Sequence, residues 1–109
     1  MIWVNVAKKY LAAYASKNVE LLEEMYASRV ELCCWDCHFI GKEEVLAGNR
    51  RFFEVADHIN IRIQNTCYKH KQIFVEFTKT WGSNKILQIV EIIEFDDFGK
   101  IKAIRSYRQ

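Results

Sequence analysis

The chain of 109 residues contains no proline and only four glycines. Without proline, no helix or strand is interrupted by a missing N–H or a fixed φ. With so little glycine, there is no material for a flexible linker, and no repeat or low-complexity segment is present. No apolar run approaches the roughly 20 residues that a membrane-spanning helix needs. Excess charge is also lacking: the formal net charge of +2 is too small to argue for nucleic acid or an anionic membrane surface. Arg50-Arg51 and Lys69-His70-Lys71 are local basic spots that read as a solvated helix face and a turn. The N-terminal residues do not run through the basic region, apolar stretch and small-residue cleavage site of a secretory signal. A cytoplasmic protein is therefore expected, with its four cysteines as reduced thiols.

Apolar residues are plentiful, at 50% of the chain with 14% aromatic. That is enough for one folded domain over residues 1–109 with a real core, and it argues against disorder. Residues 1–16 carry apolar side chains at Trp3, Val6, Ala7, Tyr10, Leu11, Ala13 and Tyr14, the stripe of an amphipathic helix. Tyr10 and Tyr14, four apart, share one face. Asn18 suits the N-cap of a second helix, with Glu20 in the first turn and Leu22, Met25 and Tyr26 on its buried side. Residues 29–34 read as a short strand and 35–40 as a loop. Gly41 opens a third helix over 42–55. From Ile59 the period changes to two, as Ile59, Ile61 and Ile63 alternate with polar residues. A turn at His70-Lys71, a strand over 73–81 and a turn at Gly82-Ser83-Asn84 follow.

The rest of the chain is organised around residues 85–108. Ile86, Leu87, Ile89, Val90, Ile92, Ile93 and Phe95 form a nearly unbroken apolar strand with Glu91 in its middle. Asp96-Asp97-Phe98-Gly99 is turn chemistry, and Ile101, Ala103 and Ile104 return along a second strand. Three helices followed by a strand meander predict an α+β fold, the helices collected on one face of an antiparallel sheet. A strand apolar on both faces is usually covered on both. The face bearing Val90 and Ile92 lies away from the helices, so a homodimer through it is expected. Glu91 either points inward, with burial raising its pKa, or points outward to pair with a lysine such as Lys102.

Cys34-Trp35-Asp36-Cys37-His38 matches the C-x-x-C-H pattern of covalent haem attachment. Haem is set aside because attachment requires export and a flexible segment, whereas Cys34 ends a strand. Zinc held by Cys34, Cys37, His38 and Cys67 has suitable local spacing but only one cluster. No metal and no cofactor is expected.

Helix, Asn-capped helix, short strand, loop ending in glycine, helix and closing meander together resemble the nuclear transport factor 2-like superfamily, in its SnoaL-like and ketosteroid isomerase-like branch. The similarity rests on Lys9-Tyr10-Leu11-Ala12-Ala13, Asn18-Val19-Glu20-Leu21-Leu22, Gly41-Lys42-Glu43-Glu44-Val45 and Glu94-Phe95-Asp96-Asp97-Phe98-Gly99-Lys100-Ile101. The resemblance implies a cone-shaped fold, a strongly curved antiparallel sheet wrapping three N-terminal helices around a deep apolar pocket. It does not fix a reaction. By position, Tyr10 and Glu91 match the oxyanion hole of ketosteroid isomerases, for which a neutral buried carboxylic acid is an established device. The general-base position holds Leu32, so the isomerase is not expected. The loop with Trp35, Asp36 and His38 then overhangs the pocket, and Asp36 and His38 are the alternative acid/base pair. Tyr14, Leu32, Trp35, Phe53, Ile89, Ile93 and Ile104 are expected to line the pocket.

Two functions follow. One is a pocket protein that binds or transforms a small apolar or aromatic metabolite, by isomerase- or cyclase/lyase-like acid/base chemistry if it is an enzyme. The other is a non-catalytic protein-protein interaction module whose cavity is filled by Trp3, Phe52, Phe53, Phe74 and Phe77. Neither nucleic acid nor a membrane is an expected partner.

Overall fold

A computed structural model describes residues 2–109. Helix α1 spans Ile2–Ala15, α2 Val19–Met25 and α3 Lys42–Val55; the strands are β1 Tyr26–Cys33, β2 His38–Ile40, β3 Asn60–Lys69, β4 Gln72–Thr80, β5 Ile86–Phe95 and β6 Ile101–Arg108. None of the helices is long and apolar enough to cross a membrane. Asn18 caps α2 as expected, its side chain accepting from the Leu21 N–H at 3.1 Å. Gly41 stands before α3 at φ 95°, a backbone conformation that glycine adopts without the Cβ clash. Two expectations shift at this end of the chain. Tyr26 starts β1 rather than completing α2, and the segment read as a loop contains β2.

The six strands form one sheet in the order β2-β1-β6-β5-β4-β3. It is mixed, not antiparallel throughout, because β1 runs parallel to β6 while every other neighbouring pair is antiparallel. The meander β3–β6 is legible locally, since tight turns can only join antiparallel strands. The β1–β6 pairing closes across most of the chain and has no local signature. In the Asp96–Gly99 turn, Asp96 Oδ1 accepts the Phe98 and Lys100 N–H groups at 2.9 Å each, and Gly99 takes φ 82°.

Helix α1 packs over β3 and β4, and α3 over β1 and β2. Strand parity then sorts β5. Ile89, Glu91, Ile93 and Phe95 are buried toward the helices, while Ile86 and Val90 are exposed and Ile92 is half-buried on the other face. That outer face is less apolar than the strand alone suggests. Val90 is paired with Glu76 and Tyr107, and Ile92 with Phe74 and Arg105; Arg105 in turn salt-bridges Glu94 at 2.5 Å.

Candidate functional site

A cavity of about 500 Å3 lies between the helices and the inner sheet face, within the range of small-molecule sites. Each element contributes by its own period. On α1, Tyr10, Leu11 and Tyr14 reach it; on α3, Gly48, Asn49 and Phe52 do. On β5 the inner-facing residues divide: Leu87, Ile89 and Glu91 line the cavity, whereas Ile93 and Phe95 continue into the closed core. Glu91 therefore stands where cavity meets core.

Glu91 is buried and inward, so the outward pairing with Lys102 is excluded. Its Oε2 accepts from Ser106 Oγ at 2.7 Å, and its Oε1 is buried without any partner. Burial raises its pKa; the Ser106 bond and the nearby Lys79 charge pull the other way. Tyr10 is not the bonded neighbour. Its hydroxyl interacts with Tyr26, which donates to Asn49 Oδ1 at 2.8 Å. Desolvation by burial pushes the Tyr10, Tyr14 and Tyr26 hydroxyls well above their ordinary pKa, with Glu91 adding to each shift. These tyrosines are protonated donors at neutral pH.

Of the residues expected to line the cavity, Tyr14, Leu32, Trp35 and Ile89 do so, as do Tyr10, Glu91 and Asp36. Phe53 does not; it is core, edge-on to Tyr14 at 5.1 Å, and Phe52 beside it faces the cavity instead. Successive helix positions differ by about 100°, so a one-residue error changes the face. Ile93 and Ile104 pair with each other and are fully buried in the core, away from the cavity.

His38 also lies outside the cavity, bonded to Glu31 at 2.5 Å. The cause is parity: Cys33 pairs with His38 and Leu32 with Phe39, so Leu32 and Phe39 face inward and His38 faces out. The structure thus does not bring Asp36 and His38 together in the cavity. The reduced-thiol expectation also changes. Cys34 and Cys37 are joined by a disulfide at the cavity rim, and Cys33 and Cys67 are free and exposed. The disulfide takes up two of the thiols that the zinc alternative would have used and removes the reduced-thiol support for a cytoplasmic location.

Sequence reasoning missed Lys79. From β4 its amine reaches into the cavity wall, donating to the Tyr14 hydroxyl at 3.0 Å and lying 4.2 Å from the Phe52 ring centre. Burial brings its pKa down to about 8, against the upward pull of Glu91 and Asp36. A strand alternation centred on Val75 and Phe77 places Lys79 on the same inner face, which is the signal that was available.

These elements give the chain the α+β fold of nuclear transport factor 2-like and SnoaL-like proteins. No protein-family model matches the sequence, and no curated protein matches it. Among solved structures, a SnoaL-like protein of unknown function from Burkholderia thailandensis superimposes with a TM-score of 0.86 at 11% identity, covering 98% of this chain and 93% of the other. A nuclear transport factor 2-like protein of unknown function from Cytophaga hutchinsonii gives 0.83 at 8% identity, covering 98% and 89%. An LEH-like epoxide hydrolase from M. tuberculosis gives 0.84 at 14% identity, covering 98% and 82%.

Proposed function

We propose that this chain is one SnoaL-like domain, its curved sheet and helices forming a cone that binds or transforms a small, largely apolar metabolite carrying one polar group. The observation that carries this reading is Glu91, a buried carboxyl with one unpartnered oxygen in the wall of an open cavity. A buried polar atom without a partner costs free energy that a ligand hydroxyl or carbonyl can recover. Ionised, Oε1 accepts from a ligand; protonated, the carboxyl can donate. Tyr14 and Lys79 supply further polar contacts, and Ile89, Phe52 and Leu32 the apolar walls.

The open cavity supports this reading over a filled interaction module. Trp3, one of the expected fillers, instead stacks on Phe95 at 4.9 Å. Any chemistry would be acid/base chemistry of the isomerase or cyclase/lyase kind, centred on Glu91. Leu32 supplies no base, so ketosteroid isomerisation at no more than the solution rate is expected.

The test is titration with 2-naphthol, followed by tryptophan fluorescence and calorimetry. One molecule per chain should bind, and Glu91→Leu should weaken binding by about 1–3 kcal/mol. Absence of binding, or equal binding by the variant, would refute the role given to Glu91.

We further propose a homodimer through the outer sheet face. Exposed Ile86, Val90 and Tyr107 support it, Val90 and Tyr107 being directly paired. The double variant Val90→Lys and Ile92→Lys should shift the mass from dimer to monomer by light scattering. A wild type already monomeric at high micromolar concentration would rule the dimer out.

A further inference from the structure

Lys79 is held in a way that hydrogen bonding to a ligand does not require. Its amine lies over three ring faces, 4.2 Å from the centre of Phe52, 4.8 Å from Tyr14 and 5.4 Å from Trp81. Among the described residues it has no salt bridge, and its hydrogen bond goes to the neutral Tyr14 hydroxyl. The rings attract the ammonium and fix its position, while the surrounding apolar walls withhold the water that a surface lysine enjoys. Burial wins: with a pKa of about 8, roughly a tenth is free amine at about pH 7, far more than a surface lysine offers. A desolvated amine of this kind is the form of lysine that attacks carbonyl carbon.

We propose that Lys79 captures a carbonyl compound in this cavity as an imine, the ligand being an aldehyde or unhindered ketone with an aromatic or flat apolar body. The inference rests on the cavity-binding reading and adds the ligand's reactive group. The amine lone pair forms the C–N bond as the carbonyl π pair moves to oxygen. The carbonyl oxygen then leaves as water, carrying the two protons that the amine nitrogen loses as C=N forms. No oxidant or reductant is involved. Glu91 is near enough for its charge to act on Lys79, and its unpartnered Oε1 can relay a proton to the departing oxygen. Tyr14, Phe52 and Trp81, which surround the amine, also line the cavity and are the surfaces against which the aromatic body of such a ligand would lie.

The experiment uses the full chain, 2-naphthaldehyde and sodium cyanoborohydride, with intact-mass and peptide-mass readouts. Cyanoborohydride supplies a hydride to the imine carbon and so converts it to a stable secondary amine. The sequence contains ten lysines, so nine serve as internal controls. The expected result is one adduct per chain, on Lys79, labelled at least tenfold faster than any exposed lysine and slowed by excess 2-naphthol. Labelling should accelerate from about pH 6 to 8.5 as the amine deprotonates. The ionisable groups sharing the cavity with Lys79 are Tyr10 and Tyr14 on α1, Asp36 at the rim, Lys85 before β5, Glu91 on β5 and Arg108 on β6, of which Glu91 and Asp36 pull its pKa up and Tyr14 accepts its hydrogen bond. Lys79→Arg, with its fold checked by circular dichroism, should abolish the selective adduct.

Label spread over the exposed lysines, or unchanged in Lys79→Arg, overturns the proposal. If 2-naphthol binds but Lys79 is not labelled, the imine is wrong and the cavity reading stands. If neither occurs, both fall. Selective labelling without 2-naphthol binding supports the imine and removes the hydrogen-bonding role of Glu91.

Discussion

Phe95→Ala is expected to lower the unfolding free energy by about 3–5 kcal/mol, whereas Phe98→Ala, three residues on, should change it by no more than about 0.5 kcal/mol. Phe95 is 1% exposed and Phe98 89% exposed. Phe95 closes β5 beside Ile101 of β6, and its ring stacks on Trp3 of α1 at 4.9 Å. Truncation removes the contact that joins the first helix to the last hairpin and leaves a cavity among side chains that cannot easily collapse. Phe98 sits at the turn tip and gives up little by its removal. Because total stability is about 5–15 kcal/mol, the first variant should lose a large share of it. Urea denaturation followed by circular dichroism measures both; equal midpoints for the two variants would mean that the Trp3–Phe95 stack does not tie α1 to the last hairpin.

The two phenylalanines also show what the sequence makes legible. Both flank the same acidic turn, and alternation along β5 distinguishes them: Ile89, Glu91, Ile93 and Phe95 share one face, and Phe98 falls in the turn. The same alternation supports an inward Glu91. What alternation cannot reveal is where an inner face stops being core and becomes cavity wall. Ile89 and Ile93 look equivalent in sequence, yet the cavity reaches only Ile89. That boundary is set by how far α1 and α3 extend over the sheet, a non-local property. The outward orientation of His38 is hidden for a related reason, because it depends on pairing with Cys33 in a three-residue strand too short to show a period. The Cys34–Cys37 bond lay in plain view as a C-x-x-C pair, but its spacing also fits metal binding and free thiols, and only the backbone geometry selects among them.

Glu91→Gln is expected to stabilise the protein by about 1–3 kcal/mol at about pH 7, and by close to nothing at about pH 4. Burial raises the Glu91 pKa above its ordinary 4.5. Between that value and the folded-state value, the native protein holds a proton that the unfolded chain has released. The unfolded state then binds fewer protons, so stability falls as pH rises through this window. Below it, both states are protonated, and glutamine merely replaces a neutral acid of the same shape. Lys79 has the opposite sign. With its pKa lowered from 10.5 to about 8, stability rises with pH between those values. Removing the Glu91 charge lowers the Lys79 pKa further, so the comparison belongs below about pH 7. Subtracting the variant's stability curve from that of the wild type cancels the titrations that Glu91 does not influence. Ser106→Ala provides the cross-check: the Ser106 bond favours the carboxylate, so losing it should extend the fall in stability to higher pH. A difference curve flat from pH 4 to 7 would show that Glu91 titrates as it does in the unfolded chain, and the buried, proton-holding carboxyl would be lost as the centre of the site.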